Sequence, residues 1–223
     1  MKIPTPMTDE VINELIDIIR NKFNYQNNFN KERNSFMILF SYILGLRPKE
    51  CYCAEIKHLD LINNYIYIPS KNNKQRQDDF IPIPNFLLEK LIYYLKLRNK
   101  YHKNSKWLFP NRKDEHITLF HFHWILREAL KKSDKCFIKY FDKKGIPRYN
   151  LNLYSLRHGF GTKVMKKTDL NLFKTAIALR HKDSKLRTTM KYVHIVDSFE
   201  RKNIMIEVYS DLKKIDIKAI NKR

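Results

Sequence analysis

The chain has 223 residues, and 44 Lys and Arg against 23 Asp and Glu give it a formal charge of +21. That length suits one domain with at most a small appendage, and 43% apolar residues with 13% aromatics supply a real core, which excludes a disordered polycation. A charge surplus of this size repels itself unless a polyanion lies near, so the composition favours DNA or RNA as partner, ahead of an anionic membrane surface.

No apolar run reaches the ~18–20 residues of a membrane span, and the first ten residues lack a basic segment followed by an apolar one. A soluble cytoplasmic protein without a membrane partner is expected. Cys51, Cys53 and Cys136 are an odd set and read as reduced thiols. The four glycines build no Gly-rich loop with a phosphate-gripping lysine, which excludes a P-loop and a dinucleotide fold.

A first helix is expected from Thr8, a capping residue followed by Asp9 and Glu10, with Val11, Ile12, Leu15, Ile18 and Ile19 on one face. The Asn-rich residues 24–30 should end it. A second helix runs from about Lys31 to Leu44, Gly45 closes it, and Pro48 starts a short third, so residues 45–50 form a tight corner. Residues 65–69 and 80–83 read as strands of a hairpin whose polar tip, residues 70–79, is mobile and carries Lys71, Lys74 and Arg76.

Helical spacing returns over residues 86–101, and Thr118 can cap a helix holding Phe122, Ile125, Leu126 and Leu130. Residues 131–150 read as a charged connection. Further helices are expected over 154–166, 169–179 and 186–193, then an amphipathic tail with Phe199, Ile204, Met205, Val208, Tyr209 and Leu212. The fold class is mainly α with one small antiparallel β-sheet, an α+β arrangement.

Five separated pieces combine in order: the corner with Arg47, the basic hairpin with Lys71, the run Tyr154-Ser155-Leu156-Arg157-His158, then His181, then Tyr192. Together they resemble the catalytic domain of the tyrosine recombinase, or phage integrase, family. The resemblance covers about residues 8–209. It implies a DNA strand-transfer enzyme working through a covalent phosphotyrosine on double-stranded DNA.

The residue types fit that chemistry. Attack on a phosphodiester loads charge onto the non-bridging oxygens, and guanidinium groups grip those oxygens bidentately without losing their protons, a task assigned to Arg47 and Arg157. Tyr192 matches the family's nucleophile, which leaves a 3′-phosphotyrosyl bond and a free 5′-hydroxyl; that bond conserves the phosphodiester energy, so neither ATP, metal nor other cofactor is expected. By match to the family's hairpin lysine, Lys71 is the general acid for the leaving oxygen, with Lys74 the runner-up. Lys74, Arg76 and Arg180 are further candidate DNA contacts.

The resemblance makes His181 a donor to a non-bridging oxygen and His158 a buried support. A Gly usually precedes the first of these in the family; Arg180 stands there, either adding a phosphate contact or changing the turn. Tyr154 occupies a position where the family most often has histidine, and a phenol can donate one hydrogen bond but is no base near pH 7. Glu50, three residues beyond Arg47 on the same helical face, is expected to pair with or orient an arginine. Cys51-x-Cys53 and His121-x-His123 lack metal-site spacing, so no metal is expected.

The organisation expected is a single catalytic domain over residues 1–223, with a core at about 8–196, a tail helix at 197–223 docking on a neighbouring protomer, and no N-terminal core-binding domain. A monomer free and a tetramer on paired DNA sites follow from that resemblance, with work at the nucleoid. Two rival readings remain: a type IB topoisomerase with nearly the same chemistry, and a non-enzymatic DNA-binding module descended from a recombinase.

Overall fold

The computed structural model describes residues 5–25, 27–74, 76–181, 188–197 and 200. The chain divides into two compact units, residues 5–161 and a C-terminal unit from Thr162 onward.

In the first unit, α1 (Asp9–Asn21) starts where expected: the Thr8 hydroxyl accepts from the Val11 amide at 3.4 Å, and Asp9 and Glu10 occupy the electropositive first turn. Its five apolar positions are buried, each contributing about 1.5–3 kcal/mol relative to exposure. α1 packs on α2 (Asn28–Ile43) and α5 (Leu119–Leu130), and α2 also packs on α4 (Asn85–Tyr101). The second helix starts earlier than its apolar pattern indicates, because Asn27 caps it and accepts from the Asn30 amide at 3.0 Å. Asparagine both turns a chain and caps a helix, so part of the Asn-rich spacer belongs to the helix it precedes. Thr118 caps α5 as read, accepting from the His121 amide at 3.1 Å.

α2 closes through Leu44 and Gly45, the latter at φ +58°, and α3 (Pro48–Tyr52) begins directly on Pro48. The hairpin is present as β2 (Tyr65–Ile68) and β3 (Asp79–Pro82), with Ile68 opposite Asp79 and Ile66, Ile68 and Ile81 buried. A two-residue strand, β1 (Leu59–Asp60), extends it to three antiparallel strands in the order β1-β2-β3. The charged connection is more than a loop. It folds as a second antiparallel hairpin, β4 (Ile138–Phe141) with β5 (Pro147–Tyr149), so there are two small sheets rather than one.

α6 (Leu153–Lys167) begins in the first unit and ends in the second. Asn152 caps it: its side chain accepts from the Tyr154 amide at 2.8 Å, while the Ser155 hydroxyl accepts from the Asn152 amide at 3.1 Å. α7 (Leu172–Ala178) starts later than expected, because Asp169 and Leu170 turn the chain with φ of 48° and 61° and Asn171 supplies the cap. Residues 188–197 are helical. The first part of the helix expected at 186–193, and the apolar tail positions from Phe199 to Leu212, lie outside the described residues. Among the described residues no helix is long and apolar enough to cross a membrane.

Burial pushes His58, His121 and His123 below the ordinary histidine range, and His58 Nδ1 accepts the Glu55 amide at 3.1 Å, which requires that nitrogen to be bare. Unfolded histidines bind protons near pH ~6.5, and these three bind them lower. In that interval the unfolded chain holds more protons, so stability falls as pH drops. Thermal melting from about pH 7.5 down to about 5.5 should show a declining Tm; a flat Tm would mean that the three imidazoles protonate in place without cost.

Candidate active site

The corner at residues 45–50 organises the first unit's charged groups. Glu50 is buried at 1% exposure, with one carboxylate oxygen accepting the Arg47 amide at 2.8 Å and the other accepting Arg47 Nη1 at 2.7 Å. A carboxylate so enclosed is tolerable only when paired, and here the pairing fixes Arg47 at the N-cap of α3. Arg47 Nη1 also donates to Asn73 Oδ1 at 3.3 Å, while Nε and Nη2 make no hydrogen bond among the described residues. Arg157, on α6 and 5% exposed, donates from Nη1 to the Gly45 carbonyl at 2.6 Å. Both arginines expected to grip phosphate are therefore anchored on the same short corner.

The β2–β3 tip, expected to be mobile, is a hydrogen-bonded turn. Asn72 and Asn73 are buried; Asn72 donates to the Cys53 carbonyl at 3.3 Å, Asn73 to the Gln77 carbonyl at 2.9 Å, and Asp78 accepts the Ser70 amide at 2.7 Å. Lys49 Nζ reaches the Lys71 carbonyl at 2.8 Å, which ties the tip to α3. The Lys71 side chain is exposed, with Nζ 3.8 Å from Glu55 Oε1. Burial raises the Glu55 carboxyl, but Lys57 at 3.1 Å, with His58 and Lys106, outweighs it and holds the group below its usual range. Lys74 and Arg76 are exposed and make no ion pair among the described residues. Asn73 was not singled out from sequence, where it is one polar residue in a polar run.

Tyr154 is 53% exposed on the first turn of α6, one turn before Arg157, and His158 is half-buried beside it. Cys51 is buried, which pushes its thiol far above the ordinary range, as suits a packing residue. Among the described residues no cluster of His, Cys, Asp and Glu could hold a metal. A cavity of about 720 Å³ lies between the first turns of α2 and α5, with Arg33, Arg112 and Trp124 in its wall. It sits at the end of α2 remote from the corner.

In the C-terminal unit, α7 closes with Arg180 at φ +54°; its amide donates to the Ile177 carbonyl at 2.8 Å and that of His181 to the Ala176 carbonyl at 2.9 Å. Arginine thus takes a left-handed conformation that glycine adopts without strain, at a local cost of about 1–2 kcal/mol. His181 Nδ1 lies 2.9 Å from the hydroxyl of buried Thr189, which fixes the ring, and the His181 and Tyr192 rings stack with centroids 6.5 Å apart. Lys191 Nζ lies 5.1 Å over the Tyr192 ring, and Tyr192 is buried. Thr189 is a second positioning residue without a sequence signal of its own.

The sequence profile of the phage integrase family matches residues 6–198. Tyrosine recombinase XerC of Bacillus licheniformis is 26% identical over 179 residues, 78% of this chain and 53% of that protein. Tyrosine recombinase XerA of Pyrococcus furiosus is 25% identical over 212 residues, covering 91% of this chain and 63% of the relative. The chain spans about half the length of curated relatives such as the XerC proteins. Among solved structures, XerH recombinase in a post-cleavage complex with a palindromic difH substrate superposes with a TM-score of 0.67 at 22% identity, over 95% of this chain and 54% of that one. The XerA recombinase crystal structure also gives 0.67, at 19% identity over 95% of this chain and 66% of its own. At these identities the superpositions establish a shared fold.

Proposed function

The chain belongs to the phage integrase family, and we propose that it carries the catalytic centre of a site-specific recombinase or integrase that cleaves and rejoins duplex DNA. The observation that carries this reading is the anchoring of Arg47 and Arg157 on one corner, Arg47 through a buried carboxylate and Arg157 through a backbone carbonyl. Two guanidiniums so fixed offer planar donor edges to the non-bridging oxygens of one phosphate, where charge develops during attack.

Tyr192 is the proposed nucleophile. Its phenol is buried and has to be uncovered before it meets a phosphate; Lys191 lies over its ring and His181 stacks on it. The new bond joins the Tyr192 oxygen to phosphorus; the bond to the 5′-oxygen breaks, and Lys71 delivers the proton that oxygen needs. Rejoining reverses the steps with a different 5′-hydroxyl. Energy stays in the phosphotyrosyl bond, so the cycle consumes no ATP and calls on no metal. Tyr154 and His181 donate to the phosphate, with Glu50 and His158 as supports. Lys74, Arg76 and Arg180 contact flanking phosphates, and a tetramer assembles on paired sites from free monomers.

The test uses a duplex nicked close to the scissile position, so that the short 5′-hydroxyl fragment diffuses away and cleavage cannot reverse. A slow-migrating, protease-sensitive protein–DNA adduct is the expected product. If no duplex yields the adduct while binding persists, the chain is a DNA-binding module; if adduct forms and supercoils relax without exchange between two sites, the activity is that of a topoisomerase.

A further inference from the structure

The β4–β5 hairpin takes no part in the strand-transfer chemistry. Phe137 is 64% exposed, Ile138 45%, Tyr140 56% and Phe141 62%, an unusual concentration of large apolar side chains on a two-stranded ribbon. Cations interleave with them: Lys139, Lys143, Lys144 and Arg148 against the single acid Asp142, which pairs with Arg148 at 2.6 Å. The three lysines make no ion pair among the described residues. The tip is rigidly built, since Asp142 Oδ1 accepts the Lys144 and Ile146 amides, both at 2.9 Å.

We infer that this hairpin is a second DNA-contacting surface, taking the duplex that flanks the scissile phosphate, its lysines on phosphates and its apolar rings against the sugars. The inference rests on the strand-transfer reading only for where the DNA lies. Charge complementarity chooses the occupant: a second copy of a chain with +21 would be repelled at a patch that is itself cationic, whereas a polyanion is attracted. Strand addition is also discouraged, because a register shift between Ile138 and Tyr140 leaves Lys139 as a bulge and Pro147 removes a donor from β5.

Position supports the same occupant. β5 ends at Tyr149, and the chain reaches Tyr154 five residues later, so at ~3.6 Å per residue the hairpin's base lies within about 18 Å of the α6 turn that leads to Arg157. That distance equals about five steps of a DNA strand, so the hairpin's base is within reach of a duplex whose phosphate sits at Arg157.

The experiment measures duplex binding by the full chain across a salt series, with two variants. Lys139→Gln/Lys143→Gln/Lys144→Gln should lower the slope of log Kd against log salt by about 2–3, near 0.9 for each phosphate no longer neutralised. Phe137→Ser/Tyr140→Ser/Phe141→Ser should weaken binding several-fold with the slope kept, because apolar contact with the sugars releases no counterions. If the aromatic variant melts early, the lysine variant, which alters only surface charge, decides alone. Wild-type Kd and slope in both variants would overturn the inference, and so would unchanged DNA binding accompanied by lost self-association in sedimentation, which would assign the surface to a second copy. Adduct formation by the unmodified chain is measured separately. Hairpin-dependent binding without adduct leaves the surface standing and removes the strand-transfer reading; adduct with indifferent hairpin variants does the reverse.

Discussion

Tyr192→Phe should give no covalent protein–DNA adduct at any enzyme concentration, with duplex affinity held within about twofold. The change deletes one oxygen and leaves the ring that stacks on His181 and lies under Lys191. A phenol with an unperturbed pKa of ~10 attacks slowly unless cations favour its anion, and the buried ring of Tyr192 has Lys191 directly over it. Tyr154 is the informative rival, because it is exposed and one turn from Arg157. Tyr154→Phe should keep the adduct and slow it by roughly tenfold at most, the worth of one hydrogen bond to phosphate. Arg157→Lys should slow it by about 10²–10³-fold, since an ammonium cannot offer a planar fork while also holding the Gly45 carbonyl. Adduct surviving in Tyr192→Phe and vanishing in Tyr154→Phe would transfer the nucleophile to the exposed phenol.

The parts of this fold that could be read from sequence are those where one signal dominates. α1 announces itself by an apolar face behind a capping threonine, and α5 by Thr118 in the same way. The corner at 45–50 is legible because glycine and proline each have one job there. What escaped has weaker grammar. β1 has two residues, too few for any alternation to register, and β4 is exposed at all four positions, so no buried face marks it as a strand. Asn73 and Thr189 position Arg47 and His181 through side-chain contacts 26 and 8 residues apart, which no periodic or capping pattern encodes. Arg180 belongs with them. Its left-handed φ of 54° is a conformation that glycine adopts without strain and arginine does not, and no sequence pattern announces it.

Gly45→Ala should be strongly destabilising for the first unit. Gly45 sits at φ +58°, which costs an L-residue about 1–2 kcal/mol, and a Cβ there would fall on the Phe160 ring of α6, with Cγ at 2.8 Å. Displacing a packed aromatic adds about 1–3 kcal/mol, so the total is about 2–5 kcal/mol, or roughly 5–15 °C in Tm for a protein of this size. Gly145→Ala separates the two contributions: at φ +70° it carries similar backbone strain, and no atom lies within 4 Å of the added carbon. It should cost only about 1–2 kcal/mol. Phe160→Leu in the Gly45→Ala background should recover part of the loss by giving the methyl room. Cleavage should fall further than stability accounts for, even at temperatures where Gly45→Ala is fully folded, because the Gly45 carbonyl is the anchor of Arg157 and lies two residues from Arg47. Equal Tm losses at the two glycines would mean that the Phe160 ring yields to the methyl without cost. Full cleavage by folded Gly45→Ala would show that the corner does not set the aim of the arginines.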